Sequence, residues 1–153
     1  MKPVIDTPQR ASTWRDGATL EKMRSRMPHT MSEHLGIELT ELGDDYLRGT
    51  MPVDHRTCQP MRLLHGGASV VLAETLGSVA ANAANKDPNK RLVGQEINAN
   101  HLRAVPEGSV VTGTARPVYV GTSSQVWSIE IRNERGQLTC ISRLTMAAIN
   151  GPW

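Results

Sequence analysis

The sequence predicts an α+β fold, an antiparallel sheet of about six strands wrapped around one long central helix. Three observations carry that expectation. The stretch Gly66–Asn85 is a run of small and aliphatic residues with one formally charged side chain, Glu74. Two segments before it and four after it are rich in apolar β-formers, several of them alternating with polar residues. The gaps between those segments are short and built from turn residues.

Taken in order, residues 1–16 are polar and proline-containing and read as a flexible or loosely docked tail. "GATLEKMRSRM" (Gly17–Met27) places Leu20, Met23 and Met27 at helical spacing, and Pro28 ends that helix. Tail and short helix form a unit over 1–30, ahead of a compact domain over 31–153. "GIELTELG" and "DYLRGTMPV" alternate on either side of Gly43–Asp45 and predict a hairpin. A polar loop, "DHRTCQPMRLLHGG", leads into the long helix, which "KDPNK" terminates because Pro88 cannot continue it. Four strand-like runs follow: "RLVGQEINANHLRAV", "SVVTGTARPVYVG", "SQVWSIEIRN" and "GQLTCISRLTMAAI". "PEG", "GTS" and "NERG" separate them.

Composition narrows the function. Aromatic residues make up 3% and Phe is absent, so stacked recognition of single-stranded nucleic acid lacks its platforms. A net charge of +2 with no block of one sign names no polyanionic partner. Cys58 and Cys140 show neither metal-ligand spacing nor a disulfide framework, and His29, His34, His55, His65 and His101 show no ligand spacing. No G-x-S-x-G motif is present. The N-terminus lacks the apolar core of a signal peptide, so a reduced, cytoplasmic setting is expected. Residues 68–84 are nearly long enough to span a membrane, but Glu74 at their middle and the polar Ser69, Thr75, Ser78 and Asn82 fit a helix wrapped by protein.

Glu74 is therefore the informative residue, because an unpaired carboxylate is expensive to bury. Val70, Glu74 and Ser78 are four apart and share a helix face, with Gly67 close to it, so Ser78 is placed to donate to the carboxylate. The His65-Gly66-Gly67 start leaves backbone N–H groups without intrahelical acceptors at the positive end of the dipole, a suitable oxyanion hole. Gly66 and Glu74 are separated by roughly 12 Å of helix rise. One carbonyl is reached more easily if Gly66 comes from one subunit and Glu74 from another, which predicts a shared site. In the preceding loop, Gln59 can donate to a carbonyl or orient a water, and His65 can bond substrate or fix the loop. Each residue alone has a plainer reading, as an ion-pair partner, a packing serine or a loop hydrogen-bonder. Their complementary tasks point to acyl chemistry.

"LLHGGASVVLAETLGSVA", "GQEINANHLRAV" and "SSQVWSIEIRNERGQLTCISRLT" together resemble the hotdog-fold acyl-CoA thioesterases over Gly36 to Ile149. The nearer branch is that of the 4-hydroxybenzoyl-CoA and 1,4-dihydroxy-2-naphthoyl-CoA thioesterases, with glutamate after HGG. The sister phenylacetate-type branch typically has aspartate. The resemblance implies hydrolysis of acyl-CoA thioesters, aryl-CoA first among them, with Glu74 as nucleophile or general base. It implies that the Gly66 N–H polarises the carbonyl, that Gln59 and His65 line the pocket, and that Ser78 assists. It also implies sites between subunits of a homotetramer built as a dimer of dimers, acting on CoA or acyl-carrier-protein thioesters. Neither a metal nor a separate cofactor is expected, nor a nucleic-acid or membrane partner, since coenzyme A is part of the substrate. Its phosphates call for cations and amides at the pocket mouth. Arg91, Arg103 and Arg143 and the Gly121-Thr122-Ser123 loop are the candidates, with Gly67, Val70 and His101 as further substrate contacts.

Two rivals share this fold. An enoyl-CoA hydratase would pair His with Asp or Glu in another local motif. A non-catalytic acyl-thioester sensor would have no need of Glu74, and the residues before the first strand are too few for a helix-turn-helix module with its linker.

Overall fold

The computed structural model describes residues 12–151. Two short helices, α1 (Leu20–Arg24) and α2 (Met31–His34), precede the hairpin β1 (Glu38–Leu42) and β2 (Leu47–Pro52). Next come the long helix α3 (Gly66–Ala84) and the strands β3 (Lys90–His101), β4 (Val110–Val120), β5 (Ser124–Asn133) and β6 (Leu138–Asn150). The six strands form one sheet in the order β1-β2-β4-β5-β6-β3, every pair antiparallel. β1 and β3 are its edges. The predicted architecture is the observed one.

α3 packs against β2, β3, β4, β5 and β6. Its burial alternates in pairs, two residues buried and two half-buried, so that Gly67 is its one exposed residue. The helix lies close to the sheet because glycines leave room. A β-carbon on Gly77 would stand 2.5 Å from Leu144 Cδ2, and one on Gly113 would stand 2.5 Å from Leu76 Cδ1. Leu72, Leu76, Trp127, Ile129, Ile131, Leu144 and Met146 are fully buried around this contact, each aliphatic side chain contributing about 2 kcal/mol of transfer free energy. At the helix C-terminus, Asn82 Nδ2 donates to Leu92 O at 2.8 Å and Asn82 Oδ1 accepts from Leu92 N at 3.0 Å, tying α3 to the start of β3.

The N-terminal segment departs from expectation. The helix expected over Gly17–Met27 is one five-residue turn, capped by Thr19. Gly17 has φ +71° and cannot join the helix, and Ser25 closes it. So short a helix cannot sustain itself, and it is held by buried Met23 and by Arg24 Nε donating to Leu39 O at 2.8 Å. α2 is a single turn capped by Thr30, too short to register as a period. Of the expected loose tail, residues 1–11 lie outside the described residues, but 12–16 are docked. Trp14 is buried, stacked on Trp127 with centroids 6.1 Å apart, and donates Nε1–H to Gly43 O at 2.7 Å. Arg15 N–H donates to Ala83 O at 2.9 Å, which laps the segment over the C-terminal half of α3.

Candidate active site

The start of α3 is set by His65, an N-cap with extended backbone (φ −69°, ψ 133°). Its Nδ1 accepts the Gly67 N–H at 2.8 Å, and its carbonyl accepts from Ala68 and Ser69 at 3.0 and 3.2 Å. Three of the four leading amides are thus occupied. The Gly66 N–H donates to no group among the described residues. The expected row of open amides is therefore corrected to one, and the Gly67 amide, expected to meet substrate, is held by the cap.

Around that amide lies a cavity of about 390 Å³ lined by Gln59, Leu63, Gly66, His101 and Arg103 among others. Gln59 Oε1 accepts the Met61 N–H, so its carboxamide N–H groups remain as donors. The His101 ring lies against Gly66, with Nε2 2.8 Å from where a β-carbon would stand. A side chain at position 66 is thereby disfavoured.

Glu74, two turns further along α3, faces a different space. It lies on the wall of a cavity of about 900 Å³ between α3 and the N-terminal segment, with Ser78, Val79, Arg91, Met23 and Met27. Among the described residues none lines both cavities. Glu74 is half-buried with no hydrogen-bond partner among the described residues, and burial pushes its carboxyl up from the ordinary glutamate value. The carboxylate rests against the backbone of Gly94 in β3, where a β-carbon would fall inside van der Waals contact of Oε1. Gly94 sits at a register shift between β3 and β6, so bulge and missing side chain together make the space.

Ser78 does not support Glu74 as expected. Its hydroxyl donates instead to Met146 Sδ of β6 at 3.7 Å. Among the other expected contacts, Arg91 lines the Glu74 cavity, while His101 and Arg103 line the Gly66 cavity. Val70, Arg143, Gly121, Thr122 and Ser123 line neither. Arg143 is exposed on β6, and the carbonyls of Thr122 and Ser123 accept from Lys90 Nζ and Ala148 N. Gly94, Met23, Met27 and Arg15 are the residues that sequence reasoning missed. A glycine inside the β-run "LVGQE" is a signal for the first.

Among the described residues no cluster of His, Cys, Asp or Glu could hold a metal ion, and no helix is long and apolar enough to cross a membrane. Both cysteines are free, and burial pushes both thiols up, away from the reactive thiolate.

Comparison with known proteins identifies the family. The family model described as the thioesterase superfamily matches residues 61–140. A 1,4-dihydroxy-2-naphthoyl-CoA hydrolase of Escherichia coli (strain K12) is 49% identical over 136 residues, covering 89% of this chain and 98% of that protein. A proofreading thioesterase, EntH, of Cronobacter turicensis is 50% identical with the same coverage. Among solved structures, a thioesterase from Haemophilus influenzae superposes with a TM-score of 0.85 at 48% identity, covering 90% of this chain and 95% of that one. The chain belongs to the thioesterase superfamily, with the hotdog fold. It is a thioester hydrolase.

Proposed function

We propose that the protein hydrolyses acyl-CoA thioesters, aryl-CoA first among them, at sites made by two subunits. The observation that carries this reading is the separation of one open amide, on Gly66, from one half-buried carboxylate, on Glu74, into two cavities. The aryl preference rests on likeness to the naphthoyl-CoA hydrolase. A carrier-protein thioester presents the same reacting atoms.

β3 suggests how the halves meet. It is an edge strand that carries Gly94 beside Glu74 and His101 beside Gly66. Two copies pairing antiparallel along that edge about a two-fold axis near its middle, with the bulge after Gly94 included, would bring Gly94 of one close to His101 of the other. Glu74 then faces the other subunit's Gly66. The exposed Glu96, Asn98 and Asn100 of β3 suit an edge awaiting a partner. Two such dimers would make the expected tetramer.

In this site the Gly66 N–H donates to the thioester oxygen as it becomes an oxyanion. In one route the Glu74 carboxylate attacks the carbonyl carbon, the C–S bond breaks and the thiolate leaves, giving a mixed anhydride that water cleaves to the free acid. In the other, Glu74 takes a proton from a water whose oxygen attacks instead, and the C–S bond breaks as the tetrahedral adduct collapses. Both need Glu74 ionised. Single-turnover hydrolysis in labelled water separates them, since label enters the enzyme carboxylate only in the first.

Glu74→Gln abolishes turnover; near-normal hydrolysis of benzoyl- and naphthoyl-CoA by this variant refutes the assignment. Mixing inactive Glu74→Gln and Gly66→Pro subunits tests sharing. Mixed dimers hold one intact site, so random exchange restores roughly a quarter of wild-type activity. No recovery after verified exchange overturns the shared site.

A further inference from the structure

The cavity beside Glu74 continues well past the carboxylate, and its two ends differ. Ser32 and Thr75 share a hydroxyl–hydroxyl bond of 3.0 Å at the Glu74 end, closing the N-terminal segment over the helix there. The other end lies at Asn82 and Ala83, roughly 13 Å further along the helix axis. Two arginines enter the cavity from this end. The Arg15 backbone is bonded to Ala83 O, and Arg91 precedes Leu92, whose backbone is held by Asn82. Both line the cavity. The Arg15 guanidinium makes no hydrogen bond or ion pair among the described residues, whereas Arg91 donates one N–H group to Pro88 O and Lys90 O. Lys22 and Arg26 add positive charge to the same wall, and Glu74 is its one acidic residue among those described. Met23, Met27 and Val79 give the wall its apolar surface, beside the hydroxyls of Thr19, Ser25 and Ser78.

A chamber with the reacting carboxylate at one end, apolar side chains on its wall and an arginine without an ion-pair partner among the described residues entering from the other suits an elongated acyl group with an anionic tail. Resting on the thioesterase reading above, we propose that the far end of this cavity is an anion subsite that takes a carboxylate at the end of the acyl group opposite the thioester. The preferred class is then acyl thioesters with an apolar body and a distal acid. Glu74 does not oppose this binding, because the two anions lie further apart than the roughly 8 Å screening length at physiological salt. The phosphates of coenzyme A are the other source of such an anion, and the test separates the two.

The test compares decanoyl thioesters with decanedioic acid monothioesters, which are of similar extended length. Each is supplied on coenzyme A and on pantetheine, which has no phosphate. kcat/KM is measured for the full chain, Arg15→Met and Arg15→Lys. The distal acid is preferred on the order of fivefold on both thiols, as expected for a partly exposed ion pair. The preference falls toward unity in Arg15→Met and returns in Arg15→Lys. Equal rates for the two acyl groups in the wild type, or a preference that survives Arg15→Met, overturns the inference. So does a loss in Arg15→Met that is equal for both acyl groups and confined to the CoA series, which assigns the arginine to the coenzyme phosphates. Benzoyl-CoA serves as the reference. Its hydrolysis without any preference for the distal acid sinks this inference and leaves the parent reading standing. Failure to hydrolyse every thioester sinks both.

Discussion

Replacing Gly66 by proline removes one hydrogen-bond donor and little else from the fold. Gly66 is the first helical residue, the position where proline is best tolerated, and its amide bonds nothing among the described residues. His65 already has the extended backbone that a following proline demands. The new β-carbon would stand 2.8 Å from His101 Nε2, so the exposed imidazole must yield by about half an ångström. Gly66→Ala adds the same β-carbon without the proline ring and keeps the N–H, which makes it the control for the His101 contact. Loss of an oxyanion-hole donor lowers kcat by about 10²–10³-fold. Release of coenzyme A thiol from benzoyl-CoA, followed with a thiol reagent, gives kcat and KM separately. A blocked pocket raises KM, whereas a lost donor lowers kcat. Thermal melts confirm that both variants fold. A proline variant within tenfold of the alanine variant in kcat refutes the view that this amide serves the transition state.

Gly94→Ala pushes the Glu74 carboxylate off its seat on β3. Misplacement by about 1 Å lowers kcat by on the order of 10²-fold, with the melting temperature nearly unchanged because the flexible end of Glu74 yields; full activity contradicts the seat. The pH–rate profile has an acid limb set by Glu74, whose carboxyl is raised by burial, so activity falls as pH drops through that raised value. The stability effect has the opposite sense. Because the folded pKa lies above the unfolded one, stability falls as pH rises between the two, and Glu74→Gln is more stable than wild type at neutral pH, the gap closing in acid. Paired melts at several pH values check this, and a variant less stable at neutral pH contradicts it. Trp14→Ala loses the stack on Trp127 and the bond to Gly43 O, costing about 3–4 kcal/mol and lowering Tm by roughly 10 °C. An unchanged melt means that the N-terminal segment is only laid on the surface.

The fold was legible because two strong signals agree. A run of small residues with one charge suits a helix enclosed by protein, and alternation in "VWSIEI" is visible without any partner strand. The separation of Gly66 from Glu74 follows from helix rise alone. Other features depend on neighbours distant in sequence. Ser78 meets Met146 across 68 residues, Trp14 meets Trp127, and Arg15 reaches the cavity through Ala83. Helical spacing locates Ser78 relative to Glu74 but says nothing of a competing sulfur on β6. The Gly67 amide consumed at the helix start was likewise invisible, since its bond depends on how His65 turns its ring.

The close seating of α3, with glycine gaps receiving Leu76 and Leu144, has an evolutionary consequence. Sliding or rotating the helix would drive those side chains into backbone, so the position of Glu74 is inherited with the sheet. The outer wall of its cavity is hung instead from Trp14, Arg24 and a few backbone bonds. Descendants can therefore acquire new substrates by rewriting the segment before β1, while the groups that cleave the thioester stay where they are.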